Sequence, residues 1–373
     1  MRRLHVATLV TRFEAGAGIV ALRGAQALDP ARYRTTVITG RGDRLLGLAA
    51  DSGIEVLVEP SLRSPVSPGD DLLVLRRLTG LFRRSKFDVV HTHSAKAGTL
   101  GRLAAHRTGV PRIVHTFHGL PYHEFQSAPR RGTYIAIERR VGRYTDVALC
   151  VGTAVAVEVV RRGLVPPERV RTIGVPVDLE VPVRTPATRA QARAELGLHR
   201  PGPVVGAVGR LAYQKNPETF VRALAALGRA DVTGVWVGGG ELAARVRESA
   251  ARGRVPLILA GERANVPALL PAFDVFALPS RYEGLPVAVV EAMVGEVPVV
   301  ATAVNSVPDV VVPGRTGLLV PPQRPDLLAR AIGWLLDHPR EAARMAAEAH
   351  ARIGDAFSAK ALGEELTAAY ATP

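Results

Sequence analysis

The sequence predicts an α/β protein of two domains, each a parallel sheet flanked by helices, and three observations predict it. At 373 residues the chain is too long for one ordinary core. Short apolar runs of strand length alternate with helical periodicity from end to end, the pattern of βαβ units. Near the middle, VPVDLEVPVRTPATR is rich in proline and has neither helix nor strand period, which marks a domain boundary. The expected division is 1–178, 179–355, and a tail over 356–373 whose helical stretch, Ala359 to Tyr370, could return to the first domain.

Leu4 to Val10 reads as the first strand. The opening MRRLHVATLV imitates a secretory signal, but Arg12 and Glu14 follow without a small-residue cleavage pattern. The glycines of FEAGAGIVALRGAQAL then introduce a helix from near Ile19, so Gly16 and Gly18 are positions where backbone could face a phosphate or sugar. Glycine turns without ligands are common, and the two readings are evenly weighted. Tyr33 to Thr39 and Ile54 to Val58 are strands, with Leu45 to Asp51 helical between them. Asp71 to Lys86 is a basic amphipathic helix carrying Arg76, Arg77, Arg83 and Arg84. A helix packed on the sheet with solvated arginines is the favoured reading, and an anionic membrane surface is the alternative partner.

FDVVHTHS is a strand running into a loop, KAGTLGRLAAHRTG supplies a helix, and PRIVHTFHG repeats the arrangement, so two successive strands present histidines at one rim. His5, His106, His115 and His199 take the structural default. His118 stands apart because Gly119 follows it and permits close approach of a ligand. His91 and His93 are expected on opposite faces of their strand, and no carboxylate pattern completes a metal site, so no metal is expected. Leu120 to Gly132 lacks periodicity and is expected to be a mobile loop over the site that contacts an acceptor. VALCVG is a strand, followed by a helix to Gly163 and the strand Val170 to Gly174.

Past the boundary a second series begins: PVVGAVGRL, a helix after Pro217, VTGVWVGGG, a helix from Glu241, VPLILAG, a helix near Val266 to Ala272, then FDVFALPSRYEGLPVAVVEAMVGEVPVVATA. In this last stretch Val275 to Leu278 and Val297 to Ala301 read as buried strands, and Pro286 suits the first position of a helix running to Val294. That helix is apolar on every face except at Glu291. A buried ionised carboxylate needs compensation, which is expected from a ligand. Glu283 lies in the strand-to-helix loop, where ligands of parallel α/β sheets bind. Two acids beside the free N–H groups of a helix start suit a neutral polyol carrying a phosphate. GRLAYQKNP places Arg210 and Lys215 in another such loop, a plausible diphosphate cradle. VGGGE fits neither a Rossmann G-x-G-x-x-G nor a P-loop and is read as a tight turn lining the site. Pro308 to Val311 starts a helix, and GRTGLLVPP is a strand.

Composition narrows the class less. The formal charge of +14 comes almost wholly from arginine, since only Lys86, Lys96, Lys215 and Lys360 are lysines. A basic surface favours polyphosphates, anionic lipid or nucleic acid. Aromatic residues for base stacking are few and no nucleic-acid motif is present, so no nucleic-acid partner is expected. No stretch of about 20 apolar residues is free of charge, which speaks against a transmembrane helix. The single cysteine, Cys150, excludes an internal disulfide and suits a reducing cytoplasm, where it reads as a small buried hydrophobe.

In order and spacing, VGRLAYQKN, VGGGE, LAGER, FDVFALPSRYEGLPVAVVEAM and PVVATAV resemble the C-terminal domain of the family 4 retaining glycosyltransferases. VVHTHSAKAGTLGRLAA and HTFHG resemble its N-terminal half. The resemblance implies the GT-B architecture, two Rossmann-like domains facing across a deep cleft, with a UDP- or GDP-sugar held mainly by the second. It implies that Arg210 and Lys215 bind the donor diphosphate in place of a divalent cation, so that no cofactor is needed beyond the donor. It places Glu283 and His118 by the donor sugar and Glu291 at the ribose hydroxyls. Leu285 and Val287 would offer backbone N–H groups to the phosphate, and Gly209, Gly239 and Gly284 would line the donor site. The chain departs from the family pattern at Glu296, where glycine is common, at Asn305-Ser306, where Gly-Gly is common, at Asp309 in place of glutamate, and at Val175-Pro176 in place of Asn-Gly.

The function implied is transfer of a hexose-type unit to a glycan or lipid-linked acceptor by a cytoplasmic protein, with a peripheral position at the inner face of the membrane as an extension. The alternatives are a sugar-nucleotide epimerase or hydrolase on the same scaffold, and a non-catalytic binder of anionic glycan or membrane.

Overall fold

The computed structural model describes residues 2–14, 16–63, 66–175, 181–353 and 357–371. The chain divides into two compact units, one of Met1–Pro176 with Asp355–Pro373 and one of Val177–Gly354. The expected boundaries at 178–179 and 355–356 lie outside the described residues.

The first unit runs β1 (Leu4–Val10), α1 (Ala17–Ala27), β2 (Tyr33–Thr39), α2 (Arg44–Asp51), β3 (Glu55–Val58), α3 (Pro68–Ser85), β4 (Val89–His93), α4 (Ala95–Thr108), β5 (Arg112–Phe117), α5 (Ala128–Gly142), β6 (Val147–Cys150), α6 (Thr153–Arg161) and β7 (Val170–Thr172). Its sheet is parallel, in the order β3-β2-β1-β4-β5-β6-β7. Successive residues of β1 serve opposite faces. Ala7 and Leu9 join Val74, Leu78 and Phe82 of α3 in one core cluster, while Val6 joins Val89 and Val114 in another. That is why these strands read as continuous apolar runs rather than alternating ones.

The second unit runs α7 (Pro186–Glu195), β8 (Val204–Val208), α8 (Pro217–Leu227), β9 (Thr233–Val237), α9 (Ala243–Arg252), β10 (Leu257–Gly261), β11 (Val275–Leu278), α10 (Val287–Val294), β12 (Val299–Thr302), α11 (Val307–Val310), β13 (Leu318–Val320), α12 (Pro325–Asp337) and α13 (Pro339–Ile353). Its sheet is also parallel, in the order β10-β9-β8-β11-β12-β13. Trp236 and Phe220 anchor its core, edge to face with centroids 5.5 Å apart. The last helix, α14 (Ala359–Tyr370), belongs to the first unit, where Leu362, Leu366 and Tyr370 pack beneath β1, β4 and β5.

Several local expectations are corrected. Helix α1 starts at Ala17, not near Ile19. The stretch read as an aperiodic linker becomes helical at Pro186, because Thr185 caps it: its hydroxyl accepts from the Thr188 N–H at 3.1 Å. The expected loop over 120–132 is helical from Ala128, and Tyr122 anchors it in the core beside Phe117 and Ile135. The helix near Val266 is a 3-10 turn over Pro267–Ala272, with Pro271 inside it. Strand β12 starts at Val299 rather than Val297, since Pro298 has no N–H and contributes only its carbonyl, to Phe276 N. Pro286 precedes its helix in an extended conformation, with Val287 first inside.

One polar feature of the first core was not anticipated. Arg102 of α4 is wholly buried and donates to Gly98 O at 2.8 Å, Thr145 Oγ1 at 3.4 Å and Glu138 Oε2 at 2.7 Å. Glu138 of α5 is 2% exposed, so each charge has no alternative solvation. Glu138→Ala is expected to destabilise the first unit by about 3–5 kcal/mol, because it strands the guanidinium in the core. Urea unfolding followed by far-ultraviolet circular dichroism measures this, and a loss below about 1 kcal/mol would contradict it.

Candidate active site

In the second sheet the chain order reverses between β8 and β11, which are hydrogen-bonded neighbours. The loops leaving the carboxyl ends of these two strands therefore diverge to opposite sides and leave a crevice, the usual ligand position in an open parallel sheet. The loop after β8 is held against the turn after β9. Trp236 Nε1 donates to Gly209 O at 2.7 Å, and Leu211 N donates to Gly239 O at 2.7 Å. The VGGGE glycines are what allow this contact: a Cβ on Gly238 would stand 2.2 Å from Gly209 O, and both Gly238 and Gly240 hold φ values reserved for glycine.

At the end of that loop Lys215 reaches the loop after β11. Its Nζ lies 2.5 Å from Glu283 Oε1, and Ser280 Oγ donates to the same oxygen at 2.6 Å. Gln214 Nε2 donates to Glu283 Oε2 at 3.3 Å, and the Gln214 carbonyl accepts from Arg281 N at 2.8 Å. From the loop after β12, Asn305 Oδ1 accepts from the Glu283 backbone N–H at 2.8 Å. Thr302 Oγ1 donates to Ser280 O at 2.7 Å. Three crossovers thus converge on Glu283, which is 7% exposed: two reach its carboxylate and the third its backbone N–H. Arg281 lies over the Tyr213 ring at 4.2 Å and donates to its carbonyl at 2.9 Å, closing the rim.

The other expected residues fall around this centre. Arg210 is exposed on the β8 loop and does not touch Glu283, but its charge reaches Tyr282: burial raises the Tyr282 phenol above its ordinary value, and Arg210 opposes that rise. Gly284 and Leu285 continue the β11 loop into α10, where Val289 N and Val290 N donate to the Pro286 carbonyl at 3.0 and 3.4 Å, so that of the first turn only Val287 and Ala288 lack an acceptor within the helix. Glu291 lies on the buried face of α10 at 9% exposure. It also interacts within the protein.

In the first sheet the order reverses between β1 and β4, and Thr11 Oγ1 and Ser94 Oγ meet there at 2.9 Å. Gly16 opens α1 with φ 61, whereas Gly18 is buried, and a Cβ on it would come within 3.0 Å of the Phe13 backbone. The close approach at Gly18 is therefore to protein. His91 and His93 do not point to opposite faces, since residues two apart in a strand share one, and their rings lie 4.2 Å apart. His91 Nδ1 and Nε2 each lie 2.7 Å from a hydroxyl, of Tyr370 and Thr116 respectively, which leaves neither nitrogen for a metal. His93 Nδ1 lies 2.8 Å from His118 Nε2, with the rings stacked at 5.1 Å. Burial lowers His118 to about 4, so it is neutral at pH 7, and burial, aided by the neighbouring His91 and His118, holds His93 well below its ordinary value. Cys150 is buried, and that burial pushes its thiol up to about 12, which suits the inert packing role.

Sequence reasoning missed Gln214, Ser280, Asn305 and His93. Gln214 and Ser280 are small polar residues with no motif spacing of their own. Asn305 carried a signal, as it stands at a position where the resembling family has glycine and adopts φ 43. Glu296, at another such position, has φ 53, so both retain the backbone that favours glycine.

Comparison with known proteins agrees with this architecture. Residues 202–338 match the family described as Glycosyl transferases group 1, and residues 15–181 match Glycosyltransferase Family 4. The chain is 33% identical over 264 residues to the UDP-Gal:alpha-D-GlcNAc-diphosphoundecaprenol alpha-1,3-galactosyltransferase of Escherichia coli, covering 68% of each. It is 32% identical to the alpha-D-kanosaminyltransferase of Streptomyces kanamyceticus, covering 81% of each. Among solved structures, the Anabaena protein Alr3699/HepE in complex with UDP and glucose matches 98% of this chain and 99% of its own, with a TM-score of 0.87 at 21% identity. The sucrose-phosphate synthase of Thermosynechococcus elongatus matches 99% and 98%, with a TM-score of 0.84 at 21% identity. With two parallel Rossmann-like sheets of the GT-B fold and relatives of this identity and coverage, the chain belongs to the group 1, family 4 glycosyltransferases.

Proposed function

We propose that the protein is a retaining glycosyltransferase that moves a sugar from a UDP-sugar, or in second place a GDP-sugar, to a glycan or lipid-linked acceptor without a divalent cation. The observation that carries the reading is the Lys215–Glu283 contact at the switch point of the second sheet, flanked by the start of α10 and by Glu291. The names of relatives support the finer points. The Escherichia coli enzyme is named for a UDP-Gal donor and a diphosphoundecaprenol-linked acceptor, and the Anabaena structure holds UDP and glucose.

In this reading Lys215 and Arg210 bind the diphosphate, with the N–H groups of Leu285 and Val287 completing the anion site. Glu283 holds Lys215 in position and receives donor-sugar hydroxyls, Glu291 accepts from the ribose hydroxyls, and His118 faces the sugar. Gly209, Gly239 and Gly284 let backbone approach the donor. The bond from the anomeric carbon to the phosphate oxygen breaks with its electron pair staying on the nucleoside diphosphate. The acceptor oxygen bonds to the same face of that carbon, and its proton passes to the departing phosphate oxygen. Fixed cations aimed where this charge grows stabilise the transition state more than the bound donor.

The acceptor class draws on the surface of the first unit. The apolar stripe of α3 is used by the core through Val74, Leu75, Leu78 and Phe82, so the helix does not lie in a bilayer by that face. Its outer face exposes Arg76, Arg77, Arg83 and Arg84 beside Leu72 and Leu73, although Arg77 is paired with Glu59 at 2.8 Å. No helix among the described residues is long and apolar enough to cross a membrane. The proposed location is the cytoplasm, with electrostatic attachment to anionic lipid.

Four outcomes test the proposal. A UDP-sugar is expected to raise the melting temperature, and Lys215→Ala to lower turnover by ~10²–10³-fold. This variant also leaves Glu283 buried without its cation, at a cost of ~1–3 kcal/mol in stability, so turnover is measured below its melting point. Unchanged nucleotide release in the variant would remove the diphosphate role, release independent of acceptor would favour a hydrolase, and no stabilisation by any sugar nucleotide would favour a non-catalytic binder. Glu291→Gln is expected to weaken nucleotide binding by roughly 10–100-fold in calorimetry, and equal affinity would place the ribose elsewhere. Replacing the four α3 arginines with glutamine is expected to reduce co-sedimentation with anionic vesicles, each contributing about 1 kcal/mol at most. Unaltered sedimentation would rule out attachment through α3.

A further inference from the structure

We propose that His93 is a positioning residue that holds His118 in its Nδ1–H tautomer, so that the ring nitrogen of His118 left for a ligand is a hydrogen-bond donor. The proposal rests on the reading of His118 as a sugar-facing group. Three observations carry it. His93 Nδ1 and His118 Nε2 are 2.8 Å apart, so one of these nitrogens carries the shared proton. His93 is 3% exposed, and its other nitrogen, Nε2, is buried with no hydrogen-bond partner among the described residues. Beside it lies a cavity of about 10 Å³ lined by Val20, Ile173, Leu362 and Leu366 and by the polar residues Thr8, Thr116 and Tyr370, of which Thr116 and Tyr370 turn their hydroxyls to His91.

A proton on His93 Nε2 would be an orphaned buried donor, which native proteins rarely keep, whereas an unshared lone pair there is better tolerated. The proton of His93 therefore sits on Nδ1 and is donated to His118 Nε2. His118, neutral at pH 7 through burial, must then carry its own proton on Nδ1. His93 is not free to swing away. Its ring packs at 4.2 Å on His91, which is tied to Thr116 Oγ1 of β5 and to the Tyr370 hydroxyl of α14. A donor at this position suits a sugar hydroxyl or ring oxygen as acceptor, and it excludes His118 as a base through that nitrogen.

Long-range proton–nitrogen correlation spectra of the full chain, labelled at histidine nitrogen and recorded at pH 7, read the tautomer directly. His118 is expected to show a protonated Nδ1 and an unprotonated Nε2. His93→Asn, whose amide can donate from near the position of Nδ1, is expected to keep that signature. His93→Phe is expected to lose it and to lower kcat by roughly 10–100-fold with a smaller change in KM. A proton on His118 Nε2 in the unaltered protein, or an unchanged His118 signature in His93→Phe, would overturn the proposal. Because the first spectrum needs no variant, a folding failure of His93→Phe leaves the proposal decided. Full activity in His118→Ala alongside the expected spectrum would instead refute the sugar-facing reading and leave the tautomer assignment standing.

Discussion

Glu283 is nearly buried, and what makes that tolerable is Lys215, whose ammonium nitrogen lies 2.5 Å from its carboxylate. The ion pair is not free-standing. Ser280 and Gln214 occupy further lone pairs of the carboxylate, and Asn305 takes up the Glu283 backbone N–H. A buried charge pair stabilises only when its remaining hydrogen-bonding capacity is met, and here the loops after β8 and β11 meet it at the carboxylate while the loop after β12 holds the backbone of the same residue. The contact therefore does two things at once. It fastens the loops after β8, β11 and β12 to one another, and it fixes an ammonium at the mouth of the crevice where the sheet order reverses.

The rest of the second unit follows from that placement. For Lys215 to arrive there, the loop after β8 must turn tightly onto the β9 turn, and the GGG run is the sequence's solution, because any side chain at Gly238 would displace the Gly209 carbonyl. For Glu283 to arrive, the β11 loop must enter α10 without a side-chain cap, and Pro286 does this from outside the helix. Val289 and Val290 turn their N–H groups to the Pro286 carbonyl, and those of Val287 and Ala288 are left at the helix start with no acceptor inside the helix. Positive charge is thus supplied twice, once by a side chain and once by backbone, which is the arrangement a diphosphate would use.

Much of this was legible. The strand-length runs, the proline-marked break and the two acids in the 273–303 stretch follow from periodicity and polarity, which burial imposes directly on sequence. What was not legible depended on three-dimensional partners. Arg102 reads as one more surface cation of an arginine-rich chain until Glu138, 36 positions away, is brought to it. The Leu120 to Gly132 segment has no helical period because only its last residues join α5, and Tyr122 rather than a repeating stripe secures it. His91 and His93 were misassigned for a different reason: the period of a strand is two, so the spacing itself already placed them together.

That pairing of histidines gives the terminal helix its significance. Tyr370 is 279 positions from His91, yet its hydroxyl lies 2.7 Å from His91 Nδ1, and Arg112 Nε donates to the neighbouring Ala369 carbonyl at 2.9 Å. Leu362 and Leu366 press against α1 at Gly24, where a Cβ would stand 3.1 Å from Leu366. The helix thus closes the underside of the sheet where β1, β4 and β5 lie side by side. His91 is held from below by α14 and from the side by β5, His93 packs at a tilt on His91, and His118 stacks on His93. The orientation of the one histidine at the rim is thus inherited, ring by ring, from a helix that the chain contributes only after completing its other unit.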